Sequence, residues 1–141
     1  MNTESEDFAD EEMRILIVDD VRTVRRVLKQ QLATLAFNTV TEATSGPDAL
    51  ARISSEEFDL VICDYHLNGI DGLHLLKKVR AHPTMWNVPF IMITSDLSET
   101  ELNAAKEAGV SSYMLKPFGI DALRDNIDEV LDFHASVSSE E

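Results

Sequence analysis

Asp19, Asp20, Asp64, Thr94 and Lys116 lie far apart in the chain, yet each stands at the end of an apolar run. Asp19-Asp20 follow Ile15-Leu16-Ile17-Val18, and Asp64 follows Leu60-Val61-Ile62-Cys63. Thr94 closes Phe90-Ile91-Met92-Ile93, and Lys116 follows Tyr113-Met114-Leu115. If these runs are neighbouring strands of a parallel sheet, their ends share the edge where such sheets bind ligands. Three carboxylates, a hydroxyl and a lysine suit a divalent cation and a transferred phosphoryl group. The Asp64 carboxylate can attack phosphorus and hold the group as a mixed anhydride. Carboxylates about 5 Å apart, at an effective dielectric near 20, repel by roughly 3 kcal/mol per pair. A proton or a metal relieves such a cluster, and hard oxygen ligands with open positions select Mg²⁺. Lys116 adds a point charge for a phosphoryl oxygen, and Thr94 adds a hydroxyl donor. Taken singly, each has a plainer reading. Asp19-Asp20 would cap the following helix, Thr94 would be a β-branched strand residue, and Lys116 a surface lysine before a turn.

The elements that position these residues alternate throughout. The first strand is roughly 14–18, apolar at every position from 15 on, as expected when both faces are covered. A helix over about 22–36 carries an apolar stripe of Val24, Val27, Leu28, Leu32 and Leu35. Arg22, Arg25, Arg26 and Lys29 form a second stripe at helical spacing. A short strand near 39–43 precedes a helix to about 56, with Ser45 as N-cap and Asp48 three residues on. A strand at 59–63, a loop at 64–70 and a helix at 71–81 come next, then an irregular connection, 82–89, with two prolines and Trp86 as a loop anchor. After the strand 90–94, Ser98-Glu99-Thr100-Glu101 reads as a capping box. The helix it opens has a thin apolar face of Leu102, Ala105 and Ala108, and ends at Gly109. A strand at 112–115 and a helix at 119–133 complete five βα units, an open, doubly wound parallel sheet.

Composition bounds the rest. A chain of 141 residues, 44% of them apolar, is expected to form one domain with a real core. No apolar run is long enough to span a bilayer. The single cysteine, Cys63, excludes an internal disulfide, fits a cytoplasmic protein and reads as a small core hydrophobe. Net charge is −14, and eight of those charges lie in residues 1–12 and 140–141. The expected organisation is an acidic, disordered N-terminal tail over 1–12, a domain over 13–134 and a polar tail over 135–141. Such acidity argues against nucleic-acid binding, which needs cations on phosphates.

The ordered set Val18-Asp19-Asp20, Asp64, Asp71-Gly72, Thr94-Ser95 and Lys116-Pro117-Phe118 resembles the response-regulator receiver domains, the CheY-like family of two-component signalling, over about 13–134. The resemblance implies a flavodoxin-like five-stranded sheet in the order 2-1-3-4-5. It implies that Asp64 accepts a phosphoryl group from a histidine kinase or a histidine phosphotransfer protein, in a reaction needing Mg²⁺. Asp20, Asp64 and the backbone carbonyl of His66 would hold the ion, with Asp19 acting through water. Thr94 and Lys116 would contact the phosphoryl group, and the Lys116-Pro117 bond would be cis. Tyr113 would turn inward as the aromatic switch residue, and His66 and Asp96 would tune dephosphorylation. Kinases would dock on the first helix, where Arg22, Arg25, Arg26 and Lys29 stand. A downstream protein would bind the face made by the last two helices and the strand between them. The expected protein is a stand-alone switch, monomeric or weakly dimeric, serving chemotaxis or a phosphorelay.

The chain departs from the family pattern in two places. Leu67-Asn68 stand where Met-Pro is common, which implies a looser loop, and Ser98-Glu99 stand where chemotaxis regulators often carry lysines. Two other readings share the fold. A phosphatase with an aspartyl-phosphate intermediate would need an acid two residues after its nucleophile, and His66 stands there instead. A flavin module would need a phosphate-binding loop after the first strand, where Asp19-Asp20 stand.

Overall fold

The computed structural model describes residues 13–96 and 98–140, with side chains to residue 132. The expected tail over 1–12 lies outside the described residues. Five strands, β1 (Arg14–Val18), β2 (Thr39–Ala43), β3 (Leu60–Asp64), β4 (Phe90–Thr94) and β5 (Ser112–Leu115), form one parallel sheet in the order β2-β1-β3-β4-β5. Between and after them run α1 (Arg22–Thr34), α2 (Gly46–Ser55), α3 (Gly72–Arg80), α4 (Glu99–Glu107) and α5 (Ile120–Glu140). This is the doubly wound, flavodoxin-like architecture expected from the alternation of apolar runs.

Both faces of the sheet are covered, so successive side chains of one strand enter different cores. Ile15, Ile17, Ile62 and Ile93 pack with Leu28 and Leu32 of α1 and with Leu123 and Ile127 of α5. Leu16, Val61, Cys63 and Met92 pack on the opposite face with Ile53 of α2 and Leu75 and Val79 of α3. Helix α4 is held differently, and Ala105 is its one fully buried residue. Register sets the functional edge. Val18 pairs with Cys63, Asp64 with Ile93, and Thr94 with Leu115. Asp19, Asp64, Thr94 and Lys116 therefore fall within one step of the same edge.

The structure corrects four local expectations. Val27 is not part of the buried stripe; it is 47% exposed and lines an apolar groove with Val24 and Phe118. Helix α5 continues to Glu140, through the stretch expected to be a tail, because no glycine or proline stops it after position 120. Ser98 accepts from the Glu101 amide, but the Glu101 carboxylate does not complete a capping box; it turns to His66. Trp86 does not anchor its loop with its ring, which is 57% exposed. Arg80 anchors that loop by donating to the carbonyls of Trp86 and Val88.

Candidate functional site

Asp64 ends β3, and its surroundings are built by the start of α3. The Gly72 amide donates to the Tyr65 carbonyl at 2.7 Å, and a β-carbon on Gly72 would lie 2.5 Å from the Asp64 carbonyl oxygen. Only glycine lets the helix come this close to the strand end. Asp71 caps α3 by accepting from the His74 amide. The Asp71-Gly72 pair was visible in the sequence. The need for a missing side chain was not, because it arises from backbone atoms of a separate segment.

Asp19, Asp20 and Asp64 each present a carboxylate oxygen within 4.8 Å of the others. Asp19 is fully engaged: Oδ1 accepts from the Val21 amide and Oδ2 from Lys116 Nζ, at 2.8 and 3.2 Å. Asp20 Oδ2 accepts from the Asn68 amide at 3.2 Å. Among the described residues, Asp20 Oδ1 and Asp64 Oδ2 have no hydrogen-bond partner. The capping reading of Asp19-Asp20 fails, since α1 has no side-chain cap bond and its N-cap residue is Val21.

Lys116 crosses from the end of β5 to the two buried carboxylates, with Nζ 3.2 Å from Asp19 Oδ2 and 3.4 Å from Asp64 Oδ1. Its amide donates to the Thr94 carbonyl at 2.7 Å, and the Lys116-Pro117 peptide is cis. Burial, and then the Asp19 carboxylate, push Asp64 above the ordinary carboxylate range, while Lys116 opposes them. Three carboxylates against one ammonium leave an excess of negative charge at a partly closed edge, and a cation relieves it. The donor set is all oxygen and has open positions, which fits Mg²⁺. Neighbouring Cys63 is buried, and burial raises its thiol well above the ordinary value. It is a core hydrophobe, as expected.

Around this centre stand the remaining expected residues. The Thr94 hydroxyl donates to the Asp96 carbonyl and accepts from the Asp96 amide, both at 3.2 Å. Asp96 itself is exposed. His66 is 54% exposed at its side chain, tilts against Tyr65 at 5.1 Å between ring centroids, and places Nε2 3.4 Å from Glu101 Oε1. Tyr113 packs edge-on to Tyr65 at 6.5 Å, and its buried hydroxyl, on the Thr94 side, has no well-formed hydrogen bond among the described residues. The loop expected to be loose is tied down at both Leu67 and Asn68. Leu67 is buried in the core, and Asn68 supplies an amide donor to Asp20 that a proline would lack. The basic stripe divides. Arg25 is half-buried, bonded to Glu42 and to the Asp19 carbonyl, and Lys29 also reaches Glu42, whereas Arg22 and Arg26 have no ion-pair partner among the described residues.

Known proteins match this arrangement along most of its length. The model of the family "Response regulator receiver domain" matches residues 15–128. Over 120 residues the chain is 38% identical to the chemotaxis protein CheY-3 of Vibrio cholerae, covering 85% of this chain and 92% of that protein. It is 36% identical over 120 residues to the chemotaxis protein CheY of Pseudomonas aeruginosa, covering 85% and 97%. A CheY-like receiver domain structure from Methanospirillum hungatei superposes with a TM-score of 0.81 at 31% identity, covering 88% of this chain and 97% of the other. A putative response regulator structure from Chloroflexus aurantiacus gives 0.80 at 37% identity, covering 85% and 98%. Among the described residues, no helix is long and apolar enough to cross a membrane.

Proposed function

The chain belongs to the response regulator receiver family of two-component signalling, and from that premise we propose that Asp64 is its phosphoryl acceptor. The observation that carries this reading is the contact of Lys116 Nζ with Asp64 Oδ1, beside an unpartnered Asp64 Oδ2 and two further carboxylates. In this reading Oδ2 forms a bond to phosphorus as the N–P bond of a phosphohistidine breaks, and the imidazole leaves with the electron pair. The donor is a histidine kinase or a histidine phosphotransfer protein. Lys116 holds one oxygen of the acceptor and takes up the charge of the arriving group. Asp20 and Asp64, with the His66 carbonyl and with Asp19 through water, would hold Mg²⁺, which supplies neutralisation of the phosphoryl oxygens.

Thr94 and Tyr113 would carry the change outward. The Thr94 hydroxyl exchanges its Asp96 carbonyl for a phosphoryl oxygen, which draws Ser95 and Asp96 toward the site. The Tyr113 hydroxyl, buried with no well-formed hydrogen bond among the described residues, gains one by turning into the space vacated. Helix α4, with its single fully buried alanine, is the element this shift moves most readily. The output surface is then the face of α4, β5 and α5, read by a downstream protein. His66 and Asp96 flank the acceptor and set how long the group persists. The curated relatives named above are chemotaxis proteins, and a chemotaxis or phosphorelay partner is the proposed class of target.

Incubation with acetyl phosphate and Mg²⁺, followed by intact-mass measurement, tests the assignment. One added phosphoryl group is expected, dependent on the metal and absent in Asp64→Asn. Undiminished addition in that variant overturns it.

A further inference from the structure

An open groove of about 570 Å³ runs along α1 beside the edge strand β2, lined by Arg22, Arg25, Arg26, Lys29 and Glu42. Glu42 is held below the ordinary carboxylate range, first by its bond from Arg25 and then, against burial, by Lys29. One carboxylate answers two of the four cations, and Arg22 and Arg26 remain exposed without an ion-pair partner among the described residues. The groove spans Arg22 to Ala33, about 16 Å of helix.

The chain preceding β1 carries the opposite charge. Residues 1–12 contain Glu4, Glu6, Asp7, Asp10, Glu11 and Glu12 and no base. They join the fold at Met13, which packs on the face of the sheet that α1 covers. Arg14 pairs with Thr39, so this junction lies one strand, about 4.8 Å, from the edge strand beneath the groove. Twelve residues reach up to about 40 Å, which covers the whole groove. Two of the other directions from the junction carry acids of the same sign. Glu57 and Asp59 stand beside Met13 on the β3 side, and Asp128, Glu129 and Asp132 are exposed on α5.

We propose that residues 1–12 occupy the groove, pairing their carboxylates with Arg22, Arg26 and Lys29 of the same chain. Tethering gives the segment an effective concentration of about millimolar, enough for a contact of several exposed pairs that salt would screen. The proposal goes beyond the phosphotransfer reading.

A spin label tests the contact without any phosphorylation. Cys63, the sole native cysteine, is fully buried, so a nitroxide attached through Thr3→Cys is selective. In the ¹⁵N-labelled full chain at low salt, the label is expected to broaden the amides of Arg22, Arg26, Lys29 and Gln30 more than those of α2 and α3. The broadening is expected to vanish in about 0.5 M NaCl, where the screening length is about 4 Å, and when the six acids are replaced by Gln or Asn. Absence of broadening along α1, or equal broadening on both sheet faces, overturns the proposal. Broadening of ¹⁵N-labelled, unmodified protein by a spin-labelled ¹⁴N copy assigns the contact to a second molecule and also overturns it.

Discussion

Gly72 presses against the backbone of Asp64 so closely that a β-carbon there would meet the Asp64 carbonyl oxygen at 2.5 Å and Met92 Sδ at 2.9 Å. The carbonyl is backbone and cannot turn aside, so a methyl group must push α3 off the strand end. Gly72→Ala is expected to destabilise the protein by about 2 kcal/mol, within the usual cost of overpacking. It is also expected to weaken Mg²⁺ binding, because Asp64 shifts relative to Asp20. Urea unfolding with and without Mg²⁺ measures both effects.

Asp64 binds its proton more tightly in the fold than in the unfolded chain, since burial and Asp19 raise it. Between the unfolded and folded values the native state therefore holds more protons, and stability falls as pH rises through that window. Asp64→Asn removes this loss. Without Mg²⁺ at pH 7 the variant is expected to melt higher than the unaltered protein. The difference should shrink as pH falls toward 4. A difference that grows on acidification would contradict the raised carboxyl.

Mg²⁺ should stabilise the native protein by mass action, about 2.7 kcal/mol at one hundred times its dissociation constant. Asp20→Asn is expected to abolish most of that gain. Lys116→Met should retain or deepen it, because removing the ammonium beside Asp19 and Asp64 adds net negative charge. The same variant is expected to accept phosphoryl groups from acetyl phosphate at least tenfold more slowly, read by intact mass over time. Metal binding and transfer are thereby separated.

Helices α1 and α4 end in the same way, with different residues at the critical place. After α1, the Ala36 amide donates to Ala33 and Phe37 to Leu32; after α4, Gly109 donates to Lys106 and Val110 to Ala105. The left-handed position is Gly109 in one case and Ala36, at φ 74°, in the other. Ala36→Gly is expected to stabilise the protein by about 1 kcal/mol, since it removes the β-carbon penalty. Gly109→Ala should cost at least as much, with its β-carbon 3.2 Å from Arg80 Nε. Thermal melts of the two variants should move in opposite directions.

The Arg80 guanidinium is spent on backbone carbonyls, those of Gly109, Trp86 and Val88 at 2.9, 3.0 and 2.7 Å. It ties the end of α3, the 82–89 connection and the α4–β5 turn together, with no carboxylate partner among the described residues. Burial lowers its affinity for the proton, yet it stays charged. Arg80→Met is expected to destabilise by about 2–3 kcal/mol, because carbonyls lose a charged donor. Amide exchange should quicken at Ser111, whose amide bonds to Phe90, before it quickens in β1.

The five strands and the convergence of Asp19, Asp64, Thr94 and Lys116 were legible because each is encoded locally, by an apolar run with a polar residue at its end. What the sequence hid depends on meetings between segments. Glu101 fits a capping box by spacing, and only the proximity of His66 shows where its carboxylate goes. Val27 fits the helical period of α1, but the stripe is wider than the core that receives it, and Val27 is left at the rim. Arg22, Arg25, Arg26 and Lys29 look equivalent in a helical projection; Glu42, on another strand, makes two of them unlike the others. Asn68 reads as a loosening of its loop, and the Asp20 side chain turns it into a tether.

Because Ala105 is the one fully buried residue of α4, the exposed residues of that helix can be rewritten at little cost to the melting behaviour of the rest. With the proposed output face, a lineage built on this scaffold could acquire a different listener by repainting one lightly buried cylinder, while the acidic pocket behind it and the framework beneath stay as they were.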